Sequence, residues 1–77
     1  MTETELRTVF AEVFGIEPAA VTGTSSPETV DRWDSFGHMR LVMSVEERFG
    51  VTLAMDEVLQ IDSYGALCRL LTGSAEA

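Results

Sequence analysis

The chain has 77 residues, 45% of them hydrophobic, so it is long enough for one small folded domain over residues 1–77 but too short to enclose a deep pocket in its core. A complete enzyme active site is therefore not expected. The formal net charge is −8, from 13 acidic residues against five arginines and no lysine, which disfavours nucleic acid and anionic membranes as partners and favours proteins with basic patches.

The first predicted helix runs from about Thr4 to Phe14. Thr2 and Glu5 have the spacing of a capping box, and Gly15 is typical of the position just after a helix. The apolar residues recur on one face at helical spacing, which predicts that they form the core side of this helix. These residues are Leu6, Val9, Phe10, Val13 and Phe14.

Residues 16–33 form a long connection, in which the stretch 22–27, rich in Thr, Ser, Gly and Pro, predicts a loop. Pro18 is expected to open a short helical turn, and Val30 and Trp33 are expected to anchor the far end of the loop on the core. Loops of this length are uncommon in compact domains and are often functional. This one leads directly to the second helix.

The second predicted helix runs from Ser35 to Phe49. Asp34 suits its N-cap, because a carboxylate can accept hydrogen bonds from the free N–H groups of the first turn. Ser35 then lies at the positive end of the helix macrodipole, a position that favours an attached phosphate. Two interpretations follow: Asp34 and Ser35 only cap the helix, or Ser35 is a modification site.

Helical spacing divides the apolar residues of this helix between two faces. The first face, predicted to be core, has His38 at its edge and comprises Leu41, Val42, Val45 and Phe49. The second comprises Phe36, Met39 and Met43 and is flanked by Arg40, Glu46 and Glu47. This second face is either another core contact or an exposed patch for a partner, since methionine suits adaptable binding surfaces.

The rest of the chain predicts one short helical turn at residues 56–59 and a last helix that ends at about Leu71. Asp62 or Ser63 is expected to cap this last helix. Its buried face is predicted to comprise Tyr64, Leu67, Leu70 and Leu71, with Cys68 as a packing residue or a surface thiol. Residues 73–77 are expected to be a frayed tail. The predicted fold is all-α: a small bundle of three main helices and one short helix, with a long first loop.

Other kinds of site are not expected. Ser35, His38 and Asp34 would come from one helical turn, which does not suit a Ser-His-Asp hydrolase. A calcium loop that began at Asp31 would need glutamate where the sequence has valine. One cysteine and one histidine cannot form a disulfide or a zinc cluster within one chain. The sequence shows no signal peptide or membrane span, which favours a cytoplasmic protein.

The motif Asp34-Ser35-Phe36 at the head of an amphipathic helix resembles the Asp-Ser-Leu motif of acyl carrier proteins. The resemblance covers nearly the whole chain. Residues 41–50 look like the rest of that family's second helix, residues 51–57 like its next loop and short third helix, and residues 61–64 like the entry to its last helix. The motif by itself is weak, but together with length, acidity and helix order it indicates this family.

The resemblance implies that Ser35 carries a 4′-phosphopantetheine arm, transferred from coenzyme A by a phosphopantetheinyl transferase. Acyl or aminoacyl groups would be bound to the thiol of the arm as thioesters and presented to biosynthetic enzymes. Asp34 would assist the transfer near the metal ion of the transferase, and the chain itself would have no catalytic residue and no metal site. The residues that match the family's partner-recognition surface are Phe36, Met39, Arg40, Met43, Glu46 and Glu47.

Some residues differ from the pattern of fatty-acid carriers. Phe36 replaces the usual leucine and keeps its apolar character. Gly37 and Arg40 lower the acidity of the second helix, and Trp33 with Gly37-His38 looks more like discrete carriers of specialised pathways, such as polyketide or aminoacyl carriers. The main hypothesis is a discrete, monomeric carrier for fatty-acid, polyketide or related biosynthesis. The alternative is a small acidic helical interaction module without a prosthetic group.

Overall fold

The computed structural model describes residues 2–72, and over these residues the chain forms four α-helices and one 3-10 turn, with no strand. The helices are α1 (Glu3–Phe14), α2 (Ser35–Phe49), α3 (Met55–Gln60) and α4 (Tyr64–Thr72), and the 3-10 turn is Pro18–Ala20. The prediction of an all-α bundle with a long first loop is confirmed, and the predicted bounds of α2 are those observed. The predicted frayed tail, residues 73–77, lies outside the described residues.

The ends of α1 and α2 follow their sequence signals. The Glu5 N–H donates to Thr2 Oγ1 (3.2 Å) and the Thr2 N–H donates to Glu5 Oε1 (2.9 Å), which completes the predicted capping box. Gly15 and Gly50 end the two helices in the left-handed conformation, with φ of 67° and 66°. Because a residue with a Cβ is strained at such angles, glycine favours termination at both positions.

The core is built around aromatic rings from α1, the long loop and α4. The ring of Phe10 packs edge-on against Phe14, Tyr64 and Trp33, with centroid distances of 4.9, 5.1 and 5.3 Å. Edge-on pairs of this kind add to the stabilisation that burial provides. Trp33 is buried in this cluster, so the last residues of the loop are fixed to the core as predicted.

The predicted core face of α2 is confirmed except at its last residue. Leu41 and Val45 are fully buried, and Val42 is 4% exposed. The prediction that Phe49 is buried with them is wrong, since its ring is only partly buried at the margin of the core. Phe49 ends α2, so no further turn of its own helix covers the ring. Three other predicted core residues are also only partly buried: Val13, Leu70 and Leu71.

Truncation of side chains on α2 should therefore have effects that depend strongly on position. Leu41→Ala should lower the free energy of unfolding by roughly 3–4 kcal/mol, because the fully buried side chain leaves a cavity. Phe49→Ala should cost less, about 1–2 kcal/mol, since part of its ring already contacts water. Denaturant unfolding followed by circular dichroism measures both losses. Equal losses would contradict the burial observed for these two residues.

The long loop packs on the start of α4 and satisfies its free N–H groups. The N–H groups of Tyr64 and Gly65 donate to the carbonyls of Ser25 (2.8 Å) and Gly23 (3.0 Å). A Cβ on Gly65 would lie only 2.8 Å from the Gly23 oxygen, so this close approach requires glycine. The backbone of the loop thus replaces part of the cap that α4 would otherwise need.

Two alternatives for the last helix are decided by the structure. Ser63 Oγ accepts a hydrogen bond from the Ala66 N–H (3.0 Å), so Ser63, and not Asp62, provides the side-chain cap. Cys68 is fully buried, and burial raises the pKa of its thiol. Because its side chain is inside the core, Cys68 is a packing residue and not a surface thiol.

Arg7 links α1 to the long loop and to α4. Its guanidinium donates to the Val21 carbonyl, forms an ion pair with Glu3 at 2.9 Å and lies 5.4 Å from the centroid of the Tyr64 ring. The Tyr64 hydroxyl donates to the Glu3 carboxylate, which lowers the pKa of Glu3, and burial raises the pKa of Tyr64. These contacts hold the first part of the loop against the bundle, while Trp33 holds the last part.

Candidate functional site

The loop and α2 meet at Asp34 and Ser35. Asp34 is the N-cap of α2: its Oδ1 accepts from the Gly37 N–H (2.8 Å), and its carbonyl accepts from the His38 N–H (2.8 Å). The predicted cap is thus confirmed. Ser35 is the first residue of the helix and is exposed to solvent. Its hydroxyl therefore lies where an enzyme can reach it, at the end of α2 that carries the positive charge of the macrodipole.

Gly37 is buried in the first turn of α2 because the end of the loop crosses it closely. A Cβ at this position would lie 2.1 Å from the Arg32 carbonyl oxygen and 3.1 Å from Phe14 Cε1. No side chain fits in that space without movement of the backbone. In the sequence, Gly37 lowers the acidity of the helix and resembles, with His38 and Trp33, carriers of specialised pathways, but nothing there predicts a steric role. Its steric role depends on the path of the loop, which no local pattern indicates.

Trp33 and His38 form a hydrogen-bonded pair beside this turn. Trp33 Nε1–H donates to His38 Nδ1 (2.8 Å), and the planes of the two rings are inclined by only 13°. His38 Nε2 lies 2.9 Å from the Val58 carbonyl oxygen in α3. Because an indole N–H only donates and a carbonyl only accepts, Nδ1 is the acceptor and Nε2 carries the proton. His38, predicted at the edge of the core face, therefore links the loop, α2 and α3.

The second apolar face of α2 is exposed. The exposed fractions of Phe36, Met39 and Met43 are 76%, 48% and 61%, so of the two predicted alternatives the exposed patch is the one observed. Met55 and Leu59 of α3 are also exposed, at 69% and 75%. These two residues were not predicted as surface residues of interest. The two residues are one helical turn apart in a short helix that also contains acidic residues, and this spacing is the sequence signal for a second exposed apolar patch.

Comparison with protein-family models matches residues 4–71 to the phosphopantetheine attachment site family. The chain belongs to this family. The match includes all of α2 and most of α1 and α4, and it confirms the predicted membership of the acyl carrier proteins. Proteins of this type are carrier domains and not enzymes, in agreement with the prediction from length and motif.

Comparison with solved structures agrees with the family match. The solution structure of holo acyl carrier protein from Geobacter metallireducens is similar to this carrier over 94% of this chain and 83% of that chain. The TM-score is 0.82 and the sequence identity is 29%. Together, the family match and this similarity confirm the predicted prosthetic group of the carrier, a covalently bound 4′-phosphopantetheine. An exposed serine at the start of a helix fits such an attachment.

The charged residues that flank the exposed face of the carrier have different surroundings. Arg40 and Glu47 are exposed and line the same groove between α1 and α2 as Met43. Glu46 is partly buried, and its Oε2 accepts a hydrogen bond from the Leu53 N–H (2.8 Å) in the link to α3. Glu46 therefore has a structural role within the carrier, which the sequence did not predict.

Several alternative sites can be tested against the geometry of the carrier. Both ring nitrogens of His38 are occupied, by Trp33 and by the Val58 carbonyl, so this ring does not act as a base for Ser35. Within residues 2–72, no three His, Cys, Asp or Glu side chains are grouped as ligands of a metal ion. Over the same part of the chain, no helix is long and apolar enough to span a membrane.

Proposed function

We propose that Ser35 carries the 4′-phosphopantetheine arm, and that the carrier presents acyl or aminoacyl thioesters on this arm to enzymes of fatty-acid, polyketide or related biosynthesis. The observation that carries the proposal is the exposure of Ser35 at the first position of a capped helix within the matched family region. A transferase can reach an exposed hydroxyl. The N-terminus of α2 also favours the negative charge of the phosphodiester formed there.

Asp34 assists the transfer to Ser35. Its Oδ1 fixes the first turn by accepting from the Gly37 N–H, and this is the one side-chain hydrogen bond of Asp34 within residues 2–72. The Asp34 side chain is exposed, so its second oxygen is available to a metal ion of the transferase, since carboxylate oxygens are preferred ligands of Mg²⁺. In the transfer, Ser35 Oγ forms a bond to the phosphorus of coenzyme A that bears the pantetheine, and the pyrophosphate bond from this phosphorus to the nucleotide breaks. The nucleotide leaves with the bridging oxygen, and the Ser35 hydroxyl proton passes to a base.

The proposal is tested by intact-mass spectrometry. The carrier is incubated with coenzyme A, Mg²⁺ and a broad-specificity phosphopantetheinyl transferase. One increment of mass, equal to a single phosphopantetheinyl group, supports the proposal, and peptide mapping should place it on the fragment that contains Ser35. Absence of any increment would favour the alternative, a small acidic helical module that binds partners without a prosthetic group.

The exposed face of α2 is the docking surface for the transferase and for the enzymes that load and use the thioester. Its apolar centre is formed by Phe36, Met39 and Met43, with Arg40, Glu46 and Glu47 at its margins. The net charge of −8 favours partners with basic patches at this surface. The resemblance of Trp33 with Gly37-His38 to discrete carriers supports a carrier of a specialised pathway.

Met43→Gln should separate docking from folding. The exposed position predicts a change in the free energy of unfolding of no more than about 0.5 kcal/mol. The rate of modification by the transferase should fall several-fold, because a central apolar contact can be a hot spot of an interface. Thr4→Gln is the control, because Thr4 is exposed near the start of α1 and far from the candidate site. The α1 residue that lies against Gly37 is Phe14, roughly 15 Å further along the helix.

Melting temperature and modification rate are measured for both variants. A marked loss of stability in Met43→Gln would mean that Met43 packs in the core. Unchanged melting with an unchanged rate would mean that this residue does not contribute to docking.

A further inference from the structure

We propose that His38 is a positioning residue for the modification of Ser35: through its bond to the Val58 carbonyl it holds α3 in a fixed place beside the head of α2. This inference rests on the proposed function, because modification of Ser35 is one of its readouts. His38 acts through its two hydrogen-bond partners, Trp33 and Val58, and not on the reacting atoms.

The two bonds of the His38 ring connect segments that are distant in the chain. Nδ1 accepts from the Trp33 indole, at the end of the loop, and Nε2 donates to the carbonyl of Val58, in the middle of α3. His38 itself lies in the first turn of α2, three residues after Ser35. The His38 ring thus joins the first turn of α2, which contains Ser35, to the end of the loop and to α3.

The helix α3 depends on this link because it has few other means of staying in place. It has six residues, too few for a helix that is stable in isolation. Val58 is its one buried residue, whereas Met55 and Leu59 are largely exposed. Its other polar connection to α2 is the bond from Leu53 to Glu46, which lies before the helix begins. The His38 bond is therefore the polar contact that fixes α3 itself to α2.

The other partner of His38 is rigid. The Trp33 ring is 3% exposed, packs against Phe10 and lies 5.5 Å from Phe14, so its position is set by the core. Trp33 also immediately precedes Asp34. Through His38, α3 is therefore bonded to a side chain that is fixed in the core. In the chain, Asp34 and Ser35 lie between Trp33 and His38, the two residues of this bonded pair.

This arrangement has a consequence for docking. An enzyme that reaches Ser35 must cover the head of α2, and His38 places Val58 and the rest of α3 beside that turn. When α3 is held, the surface is preorganised. When α3 is free, its ordering is added to the cost of binding, so the KM for the carrier rises while the maximal rate at Ser35 is kept.

Two substitutions of His38 each preserve one bond and serve as matched variants. In His38→Gln the amide nitrogen occupies the place of Nε2 and can still donate to Val58. In His38→Asn the amide oxygen occupies the place of Nδ1 and can still accept from Trp33, but the side chain is too short to reach Val58. The comparison between them isolates the link to α3 from a general effect of losing the ring.

The first experiment measures kcat and KM for modification of the carrier by the transferase, at a temperature where circular dichroism shows each variant folded. His38→Asn should raise KM about fivefold, the size expected for loss of one hydrogen bond, with kcat within about twofold of the parent. For His38→Gln, both kcat and KM should stay close to the values of the parent. A KM for His38→Asn equal to that of the parent, or equal increases in both variants, would overturn the role of the α3 link.

The second experiment measures amide hydrogen exchange and does not need the transferase. In His38→Asn, exchange at the backbone N–H groups of α3 should become about fivefold faster, while exchange in α1 and α4 should stay unchanged. In His38→Gln, α3 should exchange as in the parent. Unchanged exchange in His38→Asn would show that His38 does not hold α3. If the parent carrier took up no phosphopantetheine, the proposed function would fail, and exchange alone would decide the role of His38.

Discussion

Ser35→Ala should abolish the mass increment that coenzyme A and the transferase produce on the parent chain. Alanine has no hydroxyl, so no bond to phosphorus can form. The fold should be retained, because Ser35 is exposed and the cap is made by Asp34 and the Gly37 N–H. Alanine is also a good helix former. Far-UV circular dichroism and the melting temperature should therefore match those of the parent.

Ser44→Ala is the control for this experiment, since Ser44 belongs to the same helix but lies in the groove between α1 and α2. It should take up one phosphopantetheinyl group, as the parent does. Modification of the Ser35→Ala variant would show that another residue is the attachment site. Loss of modification in both variants would point to a general defect of α2 and not to the loss of one nucleophile.

Gly37→Ala should be the most damaging single-methyl change at the candidate site. The added Cβ would lie 2.1 Å from the Arg32 carbonyl oxygen, which is backbone and cannot rotate away. Either the loop or the first turn of α2 must move, and such overpacking costs about 3 kcal/mol, at the upper end of its usual range. The higher helix propensity of alanine offsets roughly 1 kcal/mol of this.

The net loss of roughly 2 kcal/mol should lower the melting temperature by about 8–16 °C in a chain of this size. Modification of Ser35 should also slow, because the Asp34–Ser35 step is attached to the segment that moves. Gly23→Ala is the matched control: a Cβ at Gly23 meets nothing within 4 Å, so its melting temperature should change by only a few degrees. Equal melting of Gly37→Ala and the parent would refute the steric role of Gly37.

This steric role gives an explanation for Gly37 that differs from the one that the sequence suggests. Together with Arg40, Gly37 lowers the acidity of the second helix, which argues against a fatty-acid carrier, and with Trp33 and His38 it resembles carriers of specialised pathways. The close approach of the Arg32 carbonyl gives a reason for glycine that is independent of any pathway. Trp33 and His38 likewise have a structural reason, since they are hydrogen-bonded to each other. The assignment to a specialised pathway stays a proposal that cargo analysis must test.

The helices and their ends were predictable because their signals are local. The capping box of Thr2 and Glu5, the cap at Asp34 and the left-handed glycines act within one turn of the chain. The periodicity of α2 also separates its two apolar faces correctly. Periodicity does not state which face is covered, however. That depended on how α2 packs in the bundle, which buries Leu41 and Val45 in the core and leaves Phe36 and Met43 in solvent.

The sequence by itself determined the family, the all-α order of the helices and the place of Ser35 at the head of α2. Only the tertiary structure decided that Gly37 must be glycine, that His38 joins Trp33 to Val58, and that Phe49 lies at the margin of the core. The physical reason is the range of the interactions. Caps and periodicity depend on neighbours within a turn, whereas the His38–Val58 bond joins residues 20 positions apart and exists only after the chain has folded back on itself.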